Sequence, residues 1–516
     1  MFLTKISPKL LTISLLALSV FIFGALAVLA TRTIWVDEAR LLVNLQAISL
    51  FDVFKPLPHY DQASPVIPLI ITKILSMVAG TNFILSRLLE FAVMTLFMLP
   101  LMSWLKAKKG LQYLAWFIFA YAAVVYITAF YASEIKHYGF EMAAVFLFLY
   151  WFLVYLDDQA EDQTNALGLK LIWIPIFCVY AGFSTLLLIP AFFAFVLVNA
   201  CIQQPFKLSA LLDIIKKHAK LAILMGITGV FTYMQMQQLT VFQIGNSYLQ
   251  EVYANKGLVA DSIQLAQNFI EIYRKPFLIA SALMSFAALF LSPKSSAFKL
   301  NLLLIITVAM IVVLKLIGVY PVIYGRHVLW VLPMSLVLTA LVMPALWQAS
   351  AESGSKVSWQ AIVFVIATGL LLLAFTLSFI KVLKGDNAEV TNNDSLYAAL
   401  NQQPASDVLV FAEAQPSLEV FKNTQSMSHR FYGASPDERI SSVKAPIADQ
   451  TLTDWQYKQL PQHQDFLVII THADAIQTEP AGRKIKALRA TFKKNSCRYS
   501  SVYQGVKAQL LKVSCQ

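Results

Sequence analysis

The chain has 516 residues, of which 58% are hydrophobic and only 13% charged, and its formal net charge is +11. Soluble chains carry about 25% charged residues, so this composition excludes an ordinary water-soluble globular protein. The positive balance does not mark a nucleic-acid binder, because the Lys and Arg residues fall in short loops between apolar runs and form no basic face interleaved with aromatics.

Apolar runs near the roughly 20 residues that span a bilayer recur along the first three quarters of the chain. About eleven spans are expected, at 10–30, 83–104, 111–131, 139–156, 169–183, 186–200, 221–238, 276–291, 300–318, 328–347 and 361–383. The first is longer than the roughly 7–15 residues of a cleaved signal's apolar region, so it reads as an uncleaved anchor. The fifth and sixth are short and nearly fused at Gly182-Phe183-Ser184-Thr185. That spacing suits broken helices beside a cavity, where interrupted backbone is tolerated.

Orientation follows from the basic loops. Lys106, Lys108 and Lys109, then Lys207, Lys216, Lys217 and Lys220, then Lys294 and Lys299, mark one side as cytoplasmic and place the N-terminus there. The acidic loop 157–162 also falls inside, against the trend, although acids weigh little in this rule. The outer side receives loop 31–82, loop 239–275 and the tail. Stretches 39–50 and 66–78 of the first loop are amphipathic and too short to span, and they read as helices along the membrane surface.

Residues 1–383 therefore form a transmembrane module and 384–516 a small soluble α/β domain in the periplasm. Runs 408–411 and 466–470 are short, apolar and rich in β-branched residues, the pattern of buried strands, and 483–493 has a helical pattern. Stretches 498–503 and 507–513 read as strands joined around Gln504-Gly505, which brings Cys497 and Cys515 together. A disulfide between them is expected outside the cytoplasm.

Four polar constellations share the outer face. Trp35-Val36-Asp37-Glu38-Ala39 follows the first span. Its paired acids suit a general base or a metal ligand, or simply a solvated helix start, which acids favour. His59-Tyr60-Asp61-Gln62-Ala63-Ser64-Pro65 supplies another acid, in residues that also suit a turn. Ser133-Glu134-Ile135-Lys136-His137-Tyr138 packs an acid, a cation, an imidazole and a phenol into one short turn, where an interfacial aromatic belt is the plainer reading. Tyr320-Pro321-Val322-Ile323-Tyr324-Gly325-Arg326-His327 sets a cation on the side where positive charge is disfavoured. Arg326 suits either snorkelling to headgroups or binding phosphate with its planar fork. Few charges lie inside the spans. Lys315 is the main exception, with Arg87, Glu90 and Glu141 nearer span ends. A transporter more often carries ionisable groups mid-membrane.

In order and spacing these motifs resemble the GT-C glycosyltransferases, the bacterial branch related to protein mannosyltransferases and lipid A aminoarabinose transferase. The likeness covers roughly residues 10–345 and touches the tail only weakly. Asp37-Glu38 is similar to the family's acidic motif after the first helix, and Tyr60 to Pro65 to its second acidic element. Residues 133–138, and Tyr320-Pro321 with Gly325-Arg326, resemble motifs of one bacterial subgroup. In the aminoarabinose transferases a Lys that helps hold phosphate follows the second acid; here Gln62 stands there, which leaves phosphate to Lys136, His137 and Arg326.

The resemblance implies a GT-C-like fold in a bacterial inner membrane and a polyprenyl-phosphate-linked sugar as donor. The acceptor hydroxyl belongs to a lipid, a surface glycan or a protein. Asp37 is the expected base, with Glu38 beside it. Asp61 or Glu38 would hold a divalent metal or a sugar hydroxyl, and Gln62, Glu134, Tyr138 and Tyr320 would line the substrate site. The alternative is a lipid-linked sugar transporter or flippase that performs no chemistry.

Overall fold

The computed structural model describes residues 36–59 (except 56), 64–80, 83–160 (except 133), 171–203, 216–234 (except 217 and 220), 257–317, 325–352, 358–384 and 393–410 (except 405). In the tail it further describes 417–421 (except 419), 430–433, 465–471, 492–493, 496–505 and 508–515. The expected first span, 10–30, lies outside the described residues, as does nearly all of the helical pattern at 483–493.

The described part of the segment 31–82 folds into helix α1 (Val36–Ala47), a 3-10 turn (Leu50–Phe54) and α2 (Val66–Ala79). Both amphipathic stretches are thus helical. Leu41, Leu45, Ile48, Val53, Leu57 and Leu69 turn inward and pack as one cluster. Phe51, Phe54, Met77 and Val78 are exposed.

The membrane module follows as α3 (Phe83–Trp104), α4 (Leu111–Ala123), α5 (Val125–Ala132), α6 (His137–Ala160), α7 (Trp173–Ala181) and α8 (Leu188–Gln203). Next come α9 (Leu221–Met234), then α10 (Leu258–Tyr273), α11 (Lys275–Ala288), α12 (Ser296–Leu316), α13 (Leu332–Glu352) and α14 (Trp359–Lys384). Among the described residues six helical segments are long and apolar enough to cross a bilayer, or seven when the bent pair α4–α5 is one span. α6 and α13 are apolar all round and almost wholly enclosed, so they form the centre of the bundle. α14 is mostly uncovered along its length and lies at the periphery. Helix α10 falls within loop 239–275, where the sequence reading placed no element.

Two breaks in the bundle have identifiable causes. α4 and α5 meet at 78°. There the Thr128 hydroxyl lies 3.1 Å from the Val124 carbonyl and 3.2 Å from that of Val125. The Tyr126 N–H donates to Ser378 Oγ of α14 at 3.0 Å. The Ser378 hydroxyl thus takes an N–H that a straight helix would direct to its own preceding turn. α7 is shorter than the expected span and stops at Gly182, and a 3-10 turn, Ser184–Leu187, leads into α8.

At the expected cytoplasmic end, Asp157 accepts from Trp104 Nε1 at 3.1 Å and lies within electrostatic range of Lys299. Lys109 sits over the Trp104 ring. The acidic loop that ran against the charge rule therefore begins with a carboxylate matched by its neighbours.

The tail contributes helix α15 (Asn393–Asn401) and strands β1 (Asp407–Val410), β2 (Arg430–Gly433), β3 (Phe466–Thr471), β4 (Cys497–Gly505) and β5 (Ala508–Cys515). They form a mixed sheet in the order β2-β1-β3-β5-β4. β1 pairs in parallel with β2 and β3, while β5 runs antiparallel to both β3 and β4. Cys497 and Cys515 face each other at the open end of the β4–β5 hairpin, with Cα atoms 4.0 Å apart, and are joined as a disulfide. The core of this domain includes Leu396, Tyr397, Leu400, Val408, Ile469 and Leu510, and it continues into Ala39, Leu42 and Ile135 of the membrane module.

Candidate active site

α1 begins with the acidic motif. Glu38 is fully buried, and its carboxylate is held from two directions. Arg87 of α3 donates twice, Nε to Oε1 at 3.1 Å and Nη2 to Oε2 at 2.7 Å. The Ile135 N–H donates to Oε1 at 3.1 Å. A bidentate guanidinium–carboxylate pair fixes direction as well as distance. One acid of the first motif is thereby tied both to α3 and to residues of the third motif, 97 positions away.

The first residue of the second motif, His59, is held by a residue the sequence reading passed over. Asn44, one helical turn beyond Arg40, is fully buried. Its amide donates to the carbonyls of Arg40 at 2.8 Å and His59 at 2.9 Å, and its oxygen accepts the His59 N–H at 2.8 Å. This clamp holds the His59 backbone alongside α1. Nearby, the exposed Asp52 carboxylate accepts from Lys55, Ser49 Oγ and the Ser49 N–H, and those bonds hold its pKa down at about 2.

The third motif forms a tight turn between α5 and α6. Lys136 N–H donates to the Glu134 carbonyl at 2.6 Å. Glu134, Ile135 and Lys136 are all buried, whereas His137 and Tyr138 at the head of α6 are partly exposed. The His137 and Tyr138 rings lie 4.4 Å apart, and Tyr138 meets Tyr131 edge-on. Gly139 permits the crossing, because a Cβ there would stand 2.8 Å from the Tyr131 carbonyl oxygen. Glu90 of α3 is also buried, accepts from Thr72 Oγ1 of α2 at 2.8 Å, and lies in electrostatic range of Glu38, Glu134 and Arg87. Glu90 thus has two further carboxyl groups, Glu38 and Glu134, and the Arg87 guanidinium within electrostatic range.

One turn along α6, Glu141 accepts the Ser184 N–H at 3.3 Å and the Ser184 hydroxyl at 3.1 Å. It caps the re-started helix beyond the α7 break. Gly182 is what lets the two chains approach, since a Cβ there would collide with the Glu141 side chain.

A second group of cations surrounds Tyr126 of α5. Lys381 Nζ lies 5.0 Å and the Arg274 guanidinium 5.8 Å from the centre of its ring. Arg274 joins α10 to α11 with φ 58, an uncommon conformation for a residue with a side chain. Lys315, the cation that stood out inside a span, pairs at 3.3 Å with Asp261 of α10, and both are almost wholly buried.

The structure thus brings Glu38, Glu134 and Lys136 together, with His137 and Tyr138 beside them. Asp61, Gln62 and Tyr320 lie outside the described residues, as do the side chains of Asp37 and Arg326. By backbone, Asp37 is the second residue of α1 and Arg326 the second of a 3-10 turn, Gly325–Val331. Among the described residues no group of three or more His, Cys, Asp or Glu side chains converges as a metal site would require. Sequence reading missed Asn44, Thr72, Arg274 and Lys381, and it noted Arg87, Glu90 and Glu141 only as charges near span ends. The signal for those three was their placement: a charge in the first turns of an apolar helix needs a partner.

No family model and no curated protein sequence matches the chain. Solved structures do. ArnT from Cupriavidus metallidurans bound to undecaprenyl phosphate superposes with a TM-score of 0.58 at 12% identity, over 96% of this chain and 97% of that one. The same protein in the apo state gives a TM-score of 0.55 at 12% identity over the same shares. The chain therefore shares the polytopic fold of ArnT over nearly its whole length.

Proposed function

We propose that this protein is a bacterial inner-membrane glycosyltransferase that moves a sugar from a polyprenyl-phosphate donor to an acceptor hydroxyl on the periplasmic face. The observation that carries the reading is the enclosed charged cluster. Two separate motifs, Asp37-Glu38 and residues 134–138, meet there through the Glu38–Ile135 hydrogen bond. The fold supports it, because ArnT with the same architecture is found bound to undecaprenyl phosphate.

In this mechanism the acceptor oxygen attacks the anomeric carbon while the bond from that carbon to the phosphate oxygen breaks. The acceptor proton passes to the Asp37 carboxylate, and polyprenyl phosphate leaves as the anion. Glu38 is a positioning residue, since its oxygens already serve Arg87 and Ile135. Lys136, His137 and Arg326 stabilise charge on the departing phosphate. Arg274 and Lys381, gathered around Tyr126, add two cations to the same task. Asp61, Gln62, Glu134, Tyr138 and Tyr320 line the sugar and acceptor. A divalent ion, were one used, would fall to Asp61 and Asp37, because the Glu38 oxygens are already taken by Arg87 and Ile135.

Purified protein in proteoliposomes with a labelled polyprenyl-phosphate sugar tests the reading. Sugar transferred to an added glycolipid or peptide, with release of polyprenyl phosphate, is the expected result. Asp37→Asn lowers the rate by about 100- to 10,000-fold, the range for loss of a general base. Movement of the intact lipid-linked sugar across the bilayer without cleavage would instead establish the transporter alternative.

A further inference from the structure

We infer that the C-terminal domain is a positioning element of the charged site, acting through Ile135. This residue belongs to two structures at once. Its side chain, fully buried, lies in the apolar core built by Leu400, Val408, Ile469 and Leu510 of the tail. Its backbone N–H is bound to Glu38 of α1. Ala39 and Leu42, on the α1 turn that carries Glu38, enter the same core. The charged residues on either side of Ile135 therefore cannot shift without withdrawing an apolar side chain from the tail domain or breaking the bond to Glu38.

The geometry reads as a three-point mount. Arg87 fixes Glu38 from the membrane bundle. Glu38 fixes the turn at residue 135 by hydrogen bond. The tail domain fixes the same residue by packing, and the short bond from Lys136 N–H to the Glu134 carbonyl passes that constraint to both neighbours. A solvated appendage on a linker would share no core with a motif more than 250 positions upstream. Packed interiors transmit strain because they are dense and have few alternative arrangements. Loosening the tail core is thus felt at Glu134 and Lys136.

Hydrogen–deuterium exchange of the full-length protein in nanodiscs tests this directly. Leu400→Ala and Leu510→Ala lie on the tail side, away from every residue assigned to chemistry. Each is expected to speed amide exchange across 134–138 by about tenfold through easier local opening, while residues 300–313 of α12 exchange as before. Leu400→Met, which keeps the volume, restores the slow rate. The catalytic consequence rests on the transferase reading: kcat falls about ten- to a hundredfold, as for a displaced catalytic group, and the donor KM stays within about twofold. Faster exchange in the tail with no change at 134–138 overturns the inference. Should both alanine variants fail to fold, Ile135→Val reads the same link in reverse and is expected to speed exchange in β1 and β3; unchanged β1 and β3 overturns it. A coupled exchange response in a protein that transfers no sugar leaves the mount standing and removes the transferase reading.

Discussion

The Glu38–Arg87 pair shows how much a single residue can be asked to do in this site. Both side chains are inaccessible to solvent. Breaking such a pair from one side leaves a lone buried charge and costs about 3–5 kcal/mol, whereas replacing both partners by apolar groups of similar size is often neutral. Arg87→Ala is therefore expected to lower the thermal midpoint in detergent well below that of the parent protein, and Arg87→Lys to lower it too, because an ammonium lacks the fork. Glu38→Leu combined with Arg87→Met recovers part of the midpoint but not sugar transfer, since the Ile135 N–H has lost its acceptor. A double variant that regains activity along with stability would show that Glu38 has no positioning role. At this scale the sequence was only partly legible. The pairing of two acids at 37 and 38 was visible, but nothing in their spacing separates a base from an anchor. That distinction comes from Arg87 and Ile135, which lie 49 and 97 positions away.

Elements were read best where hydropathy alone decides them. The spans at 83–104 and 361–383 match α3 and α14 closely. The bend at Val124 was not legible, because neither proline nor glycine marks it and its partner Ser378 lies 252 positions from Tyr126. Strand β2 was missed for a similar reason: Arg430–Gly433 has only four residues and little apolar pattern. The break at Gly182 was legible, but its cause was not. With Glu141 pressed against Gly182, Gly182→Ala is expected to destabilise the protein by about 1–3 kcal/mol, the usual cost of overpacking. Gly182→Ala made together with Glu141→Ala should lose less than the sum of the two single changes, measured by thermal unfolding in detergent; strict additivity would show that the two positions do not touch. The 3-10 turn after α1 invites a different measurement. Phe51 is 86% and Phe54 59% exposed, and apolar side chains on a surface-lying segment bury at the boundary of headgroups and acyl chains. A spin label at Phe51→Cys should report the oxygen accessibility of lipid, and a purely aqueous signal there would mean that this loop stands clear of the bilayer.

For the whole molecule, the charge rule predicts a periplasmic tail, and the Cys497–Cys515 pair offers a chemical check on that prediction. Alkylation of unreduced, denatured protein is expected to mark Cys178 and Cys201 and to spare the hairpin pair, whose closed loop stabilises the tail by about 3 kcal/mol in the chain-entropy model. Full labelling of all four thiols would argue for a reducing compartment. A reporter fused after Gln516 that works only in the cytoplasm would argue the same. The shared core also has a consequence for biosynthesis. Ala39, Leu42 and Ile135 leave the ribosome well before Leu510, which helps cover them from several hundred positions further along the chain. At roughly 5–20 residues per second the interval is on the order of tens of seconds. Throughout it Ile135 lacks part of the apolar core that holds it, so the turn bonded to Glu38 gains its full packing support only once β5 has paired.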